Sequence, residues 1–280
     1  MAEFVSAVGK YTFLQYALLA GVLASVACGV VGTYVVTRRI SYIAGSISHC
    51  VLAGMGAARY GAARYGWEWL TPLYGAIVAA LLAALIIGIV SLRAKQREDT
   101  VIGALWAIGM AIGLLFIAKT PGYIEPMSYL FGNILLISEF DLWMVLVLDV
   151  LVVGIATLFY HKFLAVCFDE EFARLRGVRT DLYYLLLLCL TALTVVLLVR
   201  VVGIVMVIAL LTLPAAVARN FAKGLWQMMV LATLFCIAFI GSGLAISYNN
   251  DLPSGPTIIV IAGLVYLGAT GLRQFSSKKN

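Results

Sequence analysis

Charge is what this sequence has least of. Only 11% of its 280 residues are Asp, Glu, Lys or Arg, against about a quarter in soluble domains, while 64% are hydrophobic and the mean hydropathy is +1.06. A chain so poor in charge cannot cover itself with a polar shell, so it is read as embedded in lipid. Reactive motifs are missing too. There is no GxxxxGK[ST] loop to cradle nucleotide phosphates, which leaves ATP hydrolysis to another polypeptide, and no HExxH or GxSxG for an intramembrane protease or hydrolase. The chain is therefore read as carrying no enzyme active site. Cys28, Cys50, Cys167, Cys189 and Cys236 stand apart without a CxxC spacing, which argues against a disulfide framework or a structural zinc site.

What is present is a succession of apolar runs. Crossing the hydrocarbon layer takes roughly 20 such residues in a helix, and the runs predict spans at 12–37, 40–58, 67–92, 100–118, 141–163, 181–202, 204–218, 225–248 and 256–272. The fold class is all-α: a polytopic membrane protein of about nine transmembrane helices. The second run is rich in Gly, Ala and Ser, a composition suited to a helix buried among helices. The first is too long for a signal-peptide core, and its charges, Arg38 and Arg39, follow it. With no linker to a soluble part, residues 1–280 form one transmembrane domain.

Orientation follows from the 19 Lys and Arg residues. An external N-terminus and a cytoplasmic C-terminus leave only Lys10, Arg59, Arg64, Lys119 and Arg200 at or near the outside, as the positive-inside rule requires. Basic residues spread over cytoplasmic loops set topology and touch anionic lipid; the net charge of +6 does not indicate nucleic acid. The tandem AARYG at 57–66 is read as an external turn.

Two irregularities interrupt the spans. Met127–Ser138 is apolar but too short to cross, and is read as a re-entrant half-helix dipping from the outer face, tolerated only where protein or water surrounds it. Pro214, inside the run 204–218, removes one helical hydrogen bond; it either kinks the helix and turns a carbonyl toward a cavity or merely bends the helix for packing.

Ionisable groups deep in the spans are few, and such groups face a cavity or a partner. His49 lies on the small-residue span, one turn after Gly45, as a ligand for a metal ion such as zinc or as a hydrogen-bonded packing residue. Asp149 offers a carboxylate to a cation or a polar contact to a neighbouring helix, and has no second carboxylate at i+3 or i+4. Arg200 and His161 sit at span ends and are read as snorkelling to water.

The densest charge lies in Phe168–Thr180, FDEEFARLRGVRT. Asp169, Glu170 and Glu171 precede Arg174, Arg176, Gly177 and Arg179, the order a short helix prefers for its dipole. The segment is either a solvated loop or a compact cytoplasmic helix on which a soluble partner docks.

Five segments carry a resemblance: RRISYIAGSISHCVLAG, LRAKQREDTVIGALWAIGMAIGL, YLFGNILLIS, FDEEFARLRGVRTD and VVGIVMVIALLTLPAAVAR. From about residue 38 to 219 they follow, in order, the pattern of the ABC-3 family, the permease subunits of zinc, manganese and iron ABC importers. The resemblance implies a pair of permeases, identical or paralogous, in the bacterial inner membrane. It further implies two cytoplasmic ATP-binding subunits and an extracytoplasmic metal-binding protein that delivers the ion near 119–140. No cofactor is held permanently; ATP is bound by the partner. The short helix within 168–180 resembles the family's coupling helix. Many members read GDxxxH in the second span, and here the Asp position is Gly45, so of that pair only His49 carries over. Losing a hard oxygen ligand disfavours manganese more than zinc, and zinc is the expected cargo. The alternatives are a manganese or iron importer of the same family, an ABC permease of the siderophore or cobalamin type, and a gradient-driven secondary metal transporter.

Overall fold

Hydrocarbon offers backbone amides no partner, so a chain of this composition satisfies them within helices. The computed structural model describes residues 2–67, 69–93, 98–121, 130, 132, 134 and 137–277. In chain order these form α1 (Ala2–Lys10), α2 (Thr12–Arg38), α3 (Ser41–Tyr65), α4 (Pro72–Arg93), α5 (Glu98–Lys119), α6 (Glu139–Leu158), α7 (Tyr160–Phe168), α8 (Glu170–Leu175), α9 (Thr180–Val202), α10 (Ile204–Ala218), α11 (Leu225–Asn250) and α12 (Ser254–Ser277). Among the described residues no strand is present.

Each predicted span has a helix, and seven of them are long and apolar enough to cross a membrane. The other two are α3, 25 residues rich in Gly, Ala and Ser, and α10, with 15. Boundaries follow local chemistry. Pro72 opens α4, where its missing N–H costs nothing. Arg39 at φ 62° ends α2, its N–H reaching the carbonyls of Val35 and Val36.

Two expectations need correction. The AARYG tandem is not a turn: it forms the last turns of α3, which stops only at Gly66, at φ +69°. Ala and Arg are strong helix formers, and Gly66 supplies the left-handed cap. The span expected over 141–163 ends at Leu158, and Phe159 redirects the chain into α7, whose Phe163 and Val166 are fully buried. At the start, α1 is an unforeseen helix whose buried Phe4 packs on Tyr248 of α11, ring centroids 5.9 Å apart.

Helices α2 and α9 form the centre, with 72% of the apolar stretch of each buried. The corresponding figure is 22% for α5 and α6 and 17% for α12, so these present their flanks outward. The helices approach closely because small residues face one another. A Cβ on Gly54 of α3 would lie 2.0 Å from the Gly75 carbonyl oxygen of α4, and one on Gly75 would lie 2.2 Å from the Gly54 carbonyl oxygen. Without water to drive apolar surfaces together, such backbone proximity is what holds membrane helices. Side-chain hydroxyls add to it: Ser46 of α3 donates to the Ile102 carbonyl of α5 at 2.9 Å.

The half-helix expected at 127–138 lies mostly outside the described residues. Of those described, Ile134 and Ile137 are buried. Gly132, at φ +62°, leaves no room for a side chain, since its Cβ would stand 2.5 Å from the Gly203 nitrogen between α9 and α10.

The glycine contact predicts that Gly54→Val disrupts the α3–α4 seam. Overpacking costs about 1–3 kcal/mol or more, so the unfolding temperature of the detergent-solubilised protein falls by several degrees. Gly103→Ala, where nothing lies within 4 Å, leaves it unchanged.

Candidate functional site

His49 is held within the helix cluster by the seam that α3 makes with α5. Cys50 donates to the Leu105 carbonyl at 3.4 Å, and a Cβ on Gly109 would stand 2.9 Å from Cys50. The imidazole is 7% exposed and stacks on Trp106 of α5, with ring centroids 4.6 Å apart and planes inclined by 25°. Its Nδ1 is buried and accepts or donates no hydrogen bond. An orphaned polar nitrogen in an apolar interior is costly, and a nitrogen lone pair there is ready for a cation. The alternative of a hydrogen-bonded packing residue is not met at Nδ1.

Gly45 lies one turn earlier on the same face. A Cβ there would meet the Trp106 ring at 2.7 Å and the Ile208 Cδ1 of α10 at 3.3 Å, so the indole occupies the space a side chain would need. Asp149 of α6 is 6% exposed, and its Oδ1 also lacks a partner. It sits on α6, which packs on α2 and α9; α3 shares α9 with it but otherwise packs mainly on α4, α5 and α10, and makes no comparable contact with α6. The structure thus does not bring Asp149 to His49, and among the described residues no three His, Cys, Asp or Glu side chains converge. Pro214 is buried in α10, which continues helical to Ala218. Three residues before it, the Leu211 carbonyl oxygen stands 2.2 Å from where a Cβ on Gly32 of α2 would lie.

The charged segment folds into α8. Asp169 caps it by accepting from the Phe172 N–H at 2.9 Å. Gly177, at φ +77°, closes it, with the Val178 N–H bonded to the Ala173 carbonyl at 3.0 Å. Inward, Glu170 pairs with Arg38 at the end of α2. Arg38 also donates to the Val166 carbonyl at 3.0 Å and lies 5.5 Å from the Tyr184 ring of α9. Arg174 pairs with Asp181 at 2.8 Å, but both are well exposed, and such pairs contribute about 0–1 kcal/mol. Arg38 is the stronger tie because its pair is three-quarters buried. Outward, α8 and its flank show Phe168, Phe172 and Leu175, the last 86% exposed, at i, i+4 and i+7. Arg176 lies over the Phe172 ring at 5.1 Å, and Glu171 lines a cavity of about 610 Å³ between α8 and the ends of α2, α4 and α9. The segment is thus a short capped helix, pinned on one face and apolar on its free face.

At the other end of α9, Arg200 is half exposed, as snorkelling implies, but it also binds Asp141. Nε donates to Oδ1 at 2.9 Å, and the other carboxylate oxygen accepts from the Ser138 hydroxyl at 2.7 Å. Trp106, Arg38 and Asp141 were not foreseen as partners. A tryptophan in an apolar run reads as lipid-facing, and an arginine at a span end reads as a topology signal.

If Arg38 anchors α8, Arg38→Met accelerates amide hydrogen exchange across Phe172–Val178 about tenfold, while Arg176→Ala leaves it near the wild-type rate.

Comparison with known proteins agrees with this architecture. A probable metal transport system membrane protein of Chlamydia pneumoniae is 43% identical over 257 residues, covering 91% of this chain and 87% of the relative. The manganese transport system membrane protein MntC of Listeria monocytogenes is 32% identical over 264 residues, 94% and 91% of the two chains. Among solved structures, PsaBC from Streptococcus pneumoniae in complex with Fab superposes with a TM-score of 0.85 at 29% identity, covering 96% of this chain and 94% of the other. The sequence pattern of the ABC 3 transport family matches residues 10–272. This chain belongs to the ABC 3 transport family.

Proposed function

We infer that the chain is the permease of an ATP-driven importer of divalent transition-metal ions in the bacterial inner membrane. The observation that carries this is the buried, unpartnered Nδ1 of His49 inside a family whose relatives bear metal-transport names. The chain works with cytoplasmic ATP-binding subunits and an extracytoplasmic metal-binding protein, and pairs with a second permease. α8 is the part that meets the ATP-binding subunit: its apolar free face docks, and the Arg38–Glu170 pair carries the movement into α2. The ion leaves its carrier on the outer side, passes His49 between the two permeases, and is released inward when ATP-driven closure rocks the helices.

Zinc is the cargo we favour. The one intramembrane imidazole is a borderline ligand, Gly45 contributes no oxygen, and manganese prefers oxygen donors. The second reading is manganese, which the name of the Listeria relative favours. Gradient-driven transport is disfavoured by the scarcity of buried carboxylates: among the described residues only Asp141 and Asp149 are buried, and Asp141 is paired with Arg200.

Replacing His49 with Ala abolishes metal-ion uptake by the assembled transporter while the subunits still copurify. Uptake at the wild-type rate would remove His49 from the path. In competition between the two metals, the wild type takes up zinc in preference; a reversed ratio would establish manganese as the cargo.

A further inference from the structure

We propose that the basic cavity where α10 gives way to α11 binds the headgroup of an anionic phospholipid of the surrounding bilayer. The inference rests on the chain lying in a bilayer with this end in the cytoplasmic leaflet, and not on its cargo. The cavity, of about 330 Å³, lies among the ends of α2, α7 and α10 and the start of α11, a size at the small end of ligand pockets. Arg39, Arg219 and Lys223 line it, and no carboxylate does. Among the described residues none of the three is in an ion pair. Asp169, next in the chain to the cavity-lining Phe168, is committed to capping α8. The neighbouring cavity is different, because there Glu170, Glu171 and Asp181 offset the arginines. Arg39 borders both, and here its charged companions are cations alone. Like charges gathered in one cavity repel, so the balancing charge comes from outside the chain.

The backbone adds to the pull on an anion. α11 begins at the cavity with Gly224, which caps it without a side chain, and its first turn holds no acid. The positive end of a 26-residue helix is therefore left uncompensated there. Two features favour a lipid over an acidic protein partner. Phe221 and Trp226, which flank the lining residues 222–225, are both exposed, and exposed aromatics of this kind mark the level of the headgroups. From Trp226 the exposed Val230 and Leu234 continue at i+4 and i+8 along one face of α11, an apolar track for an acyl chain leading away from the cations. Phe168, Leu225 and Met228 give the cavity itself an apolar part. A phosphodiester carrying a fatty tail matches both the charge and the track; a soluble acidic surface matches the charge alone.

Native mass spectrometry of the full-length chain in detergent tests this, with dioleoyl phosphatidylglycerol or dioleoyl phosphatidylcholine as the probe. The chain retains phosphatidylglycerol in preference to phosphatidylcholine, and excess inorganic phosphate does not displace it. Each basic side chain near an anionic surface contributes about fivefold to affinity, so Arg219→Gln/Lys223→Gln weakens phosphatidylglycerol retention about 25-fold. Lys162→Gln, exposed at the same end but outside the cavity, leaves it unchanged. Lys223→Gln alone, at an exposed position, gives about a fivefold loss should the double variant fail to fold. Equal retention of the two lipids, displacement by inorganic phosphate, or wild-type retention in Lys223→Gln and the double variant would overturn the proposal. So would loss of the copurifying ATP-binding subunit at intact phosphatidylglycerol retention, which would make the cavity a protein contact. No metal enters the measurement, so this inference and the transport reading fail separately.

Discussion

The close approach of α3 to its neighbours is the constraint on which the rest depends. In lipid no hydrophobic force draws one apolar helix to another, so van der Waals contact between backbones and a few hydrogen bonds must hold the bundle. Gly54 against Gly75, Gly109 against Cys50 and the Ser46 hydroxyl on the Ile102 carbonyl meet that demand. Once α3 is clamped between α4 and α5, His49 is carried into an interior that provides no partner for Nδ1, and Trp106 is brought flat against it. The same small residues that stabilise the seam therefore create the unsatisfied nitrogen.

The second organising interaction lies at the end of α2. Arg38 is bound at once to Glu170 of α8 and the Val166 carbonyl of α7, with its guanidinium over Tyr184 of α9. These contacts tie α8 to one of the two most buried helices. At the far end of α9, the Arg200–Asp141 pair and the Ser138 cap fasten α9 to the start of α6. The two ends of α9 are thus tied to different helices.

Much of this was legible in the sequence because it is local. Hydropathy over 20 residues locates a helix whatever surrounds it, and all nine predicted runs became helices. The order of acids before bases in 168–180 announced α8, and a histidine on a glycine-rich run announced a buried imidazole. Boundaries were less legible: α3 ran through the AARYG tandem because Ala and Arg favour helix and the stop lies at Gly66. Least legible were the pairings. Arg38 and Glu170 are 132 residues apart, and Asp141 and Arg200 are 59 apart; nothing in either neighbourhood names the other. Trp106 escaped notice for the same reason, since its stacking on His49 exists only once α5 lies against α3. Asp149 shows the opposite case, a conspicuous residue that the helix packing keeps on another face of the bundle.

The central claim is that this chain conducts divalent metal ions inward at the expense of ATP held by a partner. Its most direct test is accumulation of radioactive zinc and manganese by proteoliposomes containing the permease, its ATP-binding subunit and the metal-binding protein. The account predicts accumulation that requires ATP on the side of the α8 face and stops when the ATP-binding subunit is inactive. Accumulation that proceeds without ATP on a proton or sodium gradient, or none of either metal by an ATP-hydrolysing assembly, would contradict it.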